Sequence, residues 1–147
     1  MSRNLEALQL WRRALVASVR KDGPDLSARQ LALLLTVFLT PPPHTVRGLA
    51  SALNVSKPAI TRALDRLGRL GYIKRKRDQE DRRNVLVQRT VKGSVYLAEF
   101  GQMVIDAEKA PAVGEEGGII DPVLDINGVV PPVLVDGART EALAPSA

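Results

Sequence analysis

The sequence predicts a mainly α fold carrying one small β-hairpin. Three observations lead there. Apolar residues recur at helical spacing over 4–20, 28–39 and 57–70. A tight turn, NVS (54–56), separates two short helical stretches. Two β-like runs, YIKRKR (72–77) and NVLVQR (84–89), flank a charged loop of about six residues, which reads as a hairpin.

The first helix spans 4–20, with Leu5, Leu8, Trp11, Leu15 and Val19 on one stripe and Arg12, Arg13 and Arg20 off it. KDGPD (21–25) breaks it. Ser27 and Gln30 then form a capping-box pattern at the head of a helix over 28–39, apolar nearly all round and so central in the core. PPP (41–43) ends that helix. Thr45 can cap the next, VRGLASAL (46–53), whose inner face is Leu49, Ala50 and Leu53.

In the turn, Asn54 tolerates a left-handed backbone and Ser56 caps the helix over 57–70. Pro58 is acceptable in that helix's first turn, where its missing N–H costs little. Ile60, Ala63, Leu64 and Leu67 make its buried side, and Gly71 ends it. After the hairpin, Thr90 can cap a last helix over 91–108, with Val91, Val95 and Ala98 at helical steps and Leu97, Val104 and Ile105 beside them.

Beyond 110 the character changes. Pro, Gly, Val and Asp dominate 111–147, PVLDING and PVLVDG are loosely repeated, and Asn127–Gly128 can turn a small hairpin. This composition favours a poorly ordered tail. The expected division is one folded domain over 1–110 and an acidic Pro/Gly-rich tail over 111–147.

Composition excludes several functions. A chain of 147 residues has room for one ordinary domain. No apolar run reaches the roughly 18 residues that span a bilayer. The longest, LALLLTVFL (31–39), is interrupted by Thr36 and stops at three prolines. The N-terminus, MSRNLEALQLWRR, has no signal-peptide apolar core. A soluble, cytoplasmic protein is expected. The chain has no cysteine, which removes disulfides, thiol chemistry and Cys-based zinc sites. The single histidine, His44, sits beside PPP and reads as a turn residue, with no second His for a metal. GEEGG (114–118) neither follows a strand nor opens a helix, so it is no phosphate loop. Neither an enzyme, a metal site nor a cofactor is expected.

The net charge of +5 is unevenly spread. Residues 1–110 carry 20 Lys and Arg against 10 Asp and Glu, net +10. Residues 111–147 carry Arg139 against six acids, net −5. Within 47–92, 13 bases face 4 acids, net +9. Such a basic block points to a polyanion, usually nucleic acid; a merely solvated face is the alternative.

Two short helices joined by a tight turn, then a hairpin, make a winged helix-turn-helix. The second helix of such a pair can enter a major groove with its N-terminal residues at base edges. The hairpin tip can reach the neighbouring minor groove, whose negative potential attracts Arg.

LASALNVSKPAITRALDRLGRLGYIKRKRDQEDRRNVLVQRTVKG (49–93) resembles the DNA-binding core of the MarR family of bacterial transcription regulators. The features that match are the LA…L-x-V-S helix-turn, T-R-x-L-D-x-L in the recognition helix, G-x-I-x-R leading into the wing, D-x-x-D-R-R at its tip, and T-x-x-G opening the next helix. The match covers about 27–100. The resemblance implies a homodimer on pseudo-palindromic promoter DNA, most often a repressor, sometimes relieved by a small aromatic effector. It also makes Asp81 and Arg83 a unit: Asp81 supports the wing tip and orients Arg83, which enters the minor groove. The DNA-facing set then comprises Thr45, Arg47, Ser56, Lys57, Pro58, Thr61, Arg62, Arg66, Arg77, Arg82 and Arg83. Lys57, Pro58, Thr61 and Arg62 are placed at or near base edges, and the later and flanking residues at phosphates.

The chain departs from the family in three ways. Arg89–Thr90 stands where the family usually has Leu-Thr, so Arg89 must snorkel, pair with an acid or face DNA. The helix after the wing ends near 108, and the tail replaces an expected last helix. Leu5, Leu8, Trp11 and Leu15, with 91–105, remain to form a dimer seam. Finally, an aromatic effector pocket would draw on Trp11, Phe38, Tyr96 or Phe100, residues that equally suit a core. Two rival functions stay open. A nonspecific DNA-architectural protein would bind specific and random duplexes alike. A winged helix used for protein contacts would not bind DNA at all.

Overall fold

The computed structural model describes residues 2–110; the expected acidic tail, with its Asn127–Gly128 turn, lies outside the described residues. Five helices and three short strands follow in the order α1 (Arg3–Arg20), α2 (Ala28–Leu39), β1 (His44–Thr45), α3 (Val46–Leu53), α4 (Lys57–Arg69), β2 (Ile73–Arg77), β3 (Val85–Arg89) and α5 (Val91–Lys109). Among these residues no helix is long and apolar enough to cross a membrane.

Local chemistry sets the boundaries. Ser2, Ser27, Thr45, Ser56 and Thr90 each cap a helix, the hydroxyl accepting a backbone N–H three residues on. At Ser27 the expected capping box is complete, because Gln30 Oε1 accepts the Ser27 N–H in return. α3 ends on Asn54 in the left-handed region, φ 54°. α4 ends on Gly71 at φ +81°. There Tyr72 N–H donates to Leu67 O and Gly71 N–H to Gly68 O, closing off two of the helix's last carbonyls.

The core gathers where α2, α3, α4 and the sheet meet. Leu33, Leu34, Val37, Ile60, Leu64 and Leu67 are fully buried, and Leu49, Ile73 and Val87 nearly so. Each such aliphatic side chain contributes about 1.5–3 kcal/mol by leaving water. The expected buried sides of α2 and α4 are found.

The sheet holds more than the hairpin. β2 and β3 pair antiparallel, Ile73 opposite Arg89 and Arg77 opposite Val85. β1 adds a third strand on the other side of β3, with His44 opposite Val87. His44, expected in a turn, therefore lies in a strand, and its Nε2 is 3.2 Å from Thr40 O. A two-residue strand is too short to leave a period in the sequence.

α1 and α5 pack on each other beside that core, which α5 meets through Tyr96 and Leu97. Arg13 Nη1 donates to Ala107 O at 3.0 Å and Lys21 Nζ pairs with Glu99 at 2.7 Å, so the two helices run antiparallel. Their contact uses small or aromatic residues: Ala14, Ala107 and Phe100 are buried, and Trp11 meets Phe100 edge-on at 6.4 Å. The two helices keep their expected apolar stripes largely outside. Val91 is 82% exposed and Val95 51%.

The T-x-x-G signature is a joint between wing and last helix. Thr90 Oγ1 donates to Gly71 O at 2.7 Å and accepts from Gly93 N at 2.9 Å. A Cβ at Gly93 would collide with the Tyr72 carbonyl oxygen and the Phe38 ring. Only glycine lets α5 lie this close.

Candidate nucleic-acid interface

Three elements converge on one side of the molecule: the start of α3, the start of α4, and the wing. α4 is strongly two-sided. Ala59, Ile60, Ala63, Leu64 and Leu67 are buried, and Lys57, Pro58 and Arg62 stand exposed, with Thr61 half-buried beside them. Val46 and Arg47 at the start of α3 and Lys57 at the start of α4 line one groove, so both helix N-termini face the same region; positive helix ends there favour an anion.

A groove runs between these helix ends and the wing. Arg47, Lys57, Arg75 and Arg83 line it, with Thr61 and Asn84 between them and Val46 and Val85 also in its wall. Two of the four cations are paired, Arg75 with Asp65 and Arg83 with Asp81. Four cations around one concave surface suit a phosphate backbone.

The wing tip is ordered by short-range bonds. Asp78 N–H donates to Asn84 O and Asn84 N–H to Asp81 O, closing the loop. Asp81 grips Arg83 with both oxygens: Arg83 Nε donates to Oδ1 at 3.0 Å and Nη2 to Oδ2 at 3.1 Å. Oδ1 also accepts the Arg83 backbone N–H at 3.2 Å. The guanidinium remains 81% exposed, so it is aimed but not covered. These hydrogen bonds from Arg83 hold the Asp81 carboxyl below its usual range, and the charge of Arg47 adds to the effect. The same bond pushes the Arg83 guanidinium up. The pairing expected from the D-x-R pattern is therefore present.

Several other expected DNA-facing residues make hydrogen bonds within the protein. Thr45 and Ser56 use their hydroxyls as helix caps, accepting from Gly48 N at 2.9 Å and Ala59 N at 3.3 Å. Arg66 is turned off the exposed face of α4, and its Nη2 donates to Asp25 O at 3.1 Å, tying the helix to the segment before α2. Arg77 Nη1 donates to Arg82 O at 2.7 Å and so braces the wing. Arg82 itself is exposed.

Arg89 takes none of the three routes expected of it. Its Nε donates to Val37 O at 2.9 Å and its Nη2 to Thr40 O at 2.8 Å, while the guanidinium lies 5.9 Å from the Phe38 ring centre. It caps the C-terminal end of α2, where a cation complements the helix dipole. A leucine could tie β3 to the core by packing; this arginine ties it by hydrogen bonds.

Sequence reasoning missed two residues. Arg75 Nη2 pairs with Asp65 Oδ1 at 2.7 Å, joining β2 to α4. Both residues stood in quoted motifs without a role. The signal was available: strand alternation puts Arg75 on the same side as the buried Ile73.

The expected dimer residues are exposed or nearly so. Leu8 is 51% exposed, Trp11 45% and Leu15 38%, with Leu5 half-buried. Of the four aromatics considered for an effector pocket, Tyr96 and Phe100 line one cavity between the end of α1 and α5, together with Tyr72, Met103 and the Lys21–Glu99 pair. Tyr72 and Tyr96 stack there at 4.6 Å, and burial pushes both phenols up. Trp11 touches Phe100 from outside, and Phe38 lies under Arg89 instead.

Fold and site together define a winged helix-turn-helix protein. Residues 26–85 match the MarR family model. No curated protein matches the sequence. Among solved structures it is similar to MarR, at 26% identity over 71% of this chain and 76% of that one, TM-score 0.57. It is also similar to a mutant MarR from E. coli complexed with operator DNA, at 27% identity over 71% and 69%, TM-score 0.54. The S. aureus MepR–DNA complex shares the fold at 20% identity over 72% and 78%, TM-score 0.55.

Proposed function

We propose that this chain is a sequence-specific double-stranded DNA-binding transcription regulator, acting as a homodimer and, by the usual habit of its family, a repressor in the bacterial cytoplasm. The observation that carries the reading is the four-cation groove joining the N-terminus of α4 to the wing. Base edges in the major groove are read by Lys57, Pro58, Thr61 and Arg62. Arg83, held by Asp81, enters the minor groove. Arg47 meets phosphate, with Arg82 beside it, while Thr45 and Ser56 offer helix ends rather than hydroxyls. Arg66 and Arg77 act through the protein's own backbone.

Homodimerisation is supported by the apolar row Leu8, Trp11, Leu15 and Val19 left exposed on α1. Large contiguous apolar surface on a soluble domain marks an interface. A two-fold dimer would place two recognition helices about one DNA turn apart, reading a pseudo-palindrome. The aromatic cavity at Tyr96 and Phe100 supports control by a small aromatic ligand.

Selection of bound duplexes from a random DNA pool tests the reading. Enrichment of an inverted repeat with half-sites about 10 bp apart is the expected result. Recovery of unenriched DNA points to an architectural protein, and recovery of none to a winged helix used for protein contacts.

A further inference from the structure

The recognition helix carries one acid, Asp65, and it is half-buried on the flank that faces the wing. An acid beside a polyanion is unfavourable on electrostatic grounds. Its partner Arg75 comes from β2, on the same strand face as Ile73 and Arg77. The Arg75 guanidinium crosses α4 beside Gly68, lying 4.0 Å from where a Cβ would stand there. Ion pairs this open to water, with side chains 33% and 43% exposed, add little to stability. Stability therefore does not account for an acid in this position.

Geometry does. The three arginines on the Ile73 face of the sheet each hold a different element. Arg89 holds the end of α2, Arg77 the wing turn, and Arg75 the recognition helix. Of the three, only Arg75 links the two elements that read DNA. We infer that Asp65 and Arg75 are positioning residues for DNA readout. Their pair sets the distance between the α4 side chains in the major groove and Arg83 in the minor groove, and it persists in the complex. Arg75 then lines the groove as the link to α4 and not as a phosphate contact.

This rests on the DNA-binding reading, and the two fail differently. Electrostatics alone and positioning predict opposite signs for Asp65→Asn. Removing an acid from a DNA-facing helix should tighten binding to every duplex. Loss of a positioning pair should weaken binding to the specific site and spare random DNA.

The experiment uses the full chain and a duplex selected by the wild-type protein, with a scrambled duplex alongside, in anisotropy titrations over a salt series. We expect Asp65→Asn and Arg75→Gln each to weaken specific binding about tenfold, with scrambled-duplex affinity and salt slope unchanged. The double variant should be no worse than either single one, because both remove the same link. Arg75→Lys, which keeps a cation opposite Asp65, should recover part of the loss. Thermal midpoints within about 2 °C of wild type keep unfolding out of the comparison. Equal or tighter specific binding by Asp65→Asn overturns the inference. So does a salt slope lowered by about one in Arg75→Gln, which would make Arg75 a phosphate contact. If the wild-type protein itself does not distinguish the duplexes, the DNA-binding reading falls first and takes the inference with it.

Discussion

The segment from α2 to β3 and the pair of helices α1 and α5 handle their side chains in opposite ways. In the first, apolar residues other than Leu39 point inward and four arginines are stitched to named partners: Arg66 to Asp25 O, Arg75 to Asp65, Arg77 to Arg82 O, Arg89 to Val37 O and Thr40 O. In the second, the buried contact is made by Ala14, Ala107 and Phe100, while Leu8, Trp11, Val19, Val91 and Val95 face outward. One region is complete within a single chain. The other presents apolar surface that water does not favour. Exposure of apolar residues, more than any motif, separates the part proposed to read DNA from the part proposed to meet a second copy.

The contrast breaks most sharply if the outer row of α1 is made charged. Leu8→Glu combined with Trp11→Glu should give a folded monomer by analytical ultracentrifugation. Affinity for the inverted-repeat duplex should fall on the order of 100-fold, because two linked half-site contacts become one. An unchanged sedimentation coefficient would place the partner surface elsewhere.

The joint between the two regions comes next. Gly93→Ala puts a methyl group against the Tyr72 carbonyl and the Phe38 ring. Overpacking of this kind costs about 1–3 kcal/mol, which urea denaturation would read as a lower midpoint. A midpoint at the wild-type value would mean that α5 shifts freely on the wing.

Within the reading segment, Arg62→Ala should relax preference at one base pair by about 1–3 kcal/mol. Arg47→Ala should weaken all duplexes alike and lower the salt slope by about one. A swap of these two behaviours in a panel of single-base variants would reverse the assignment of base edge and phosphate.

The smallest effect concerns acid. Asp81 is held below its ordinary carboxylate range by Arg83. Its folded value lies below its unfolded one, so the support it provides is complete above about pH 4 and is lost as pH falls through the lowered value. Specific binding should therefore show no Asp81-dependent change between pH 5 and pH 8. Asp81→Asn compared with wild type over that range should give parallel profiles, and profiles that converge toward pH 5 would contradict the assignment.

Much of this was legible in the sequence, for identifiable reasons. Caps, helix periods and the turn at Asn54 are local, and the structure has them where Ser27, Thr45, Ser56 and Thr90 place them. The D-x-R pairing was legible because Asp81 and Arg83 are two residues apart. Partners far apart in sequence were not. Arg89 and Thr40, Arg66 and Asp25, and Arg75 and Asp65 meet only once the chain is folded, and an arginine on a basic face looks the same whether it meets a phosphate or a carbonyl. β1 escaped because two residues carry no period. The stripe on α1 was legible, but its direction was not, since periodicity marks an apolar side without saying what covers it.

The most direct test of the central claim is an anisotropy titration of the full chain against a selected inverted-repeat duplex and its scrambled counterpart across a salt series. The account predicts a specificity ratio on the order of 10³ or more, with affinity for both falling steeply as salt rises. Equal affinity for the two duplexes at every salt concentration would contradict it.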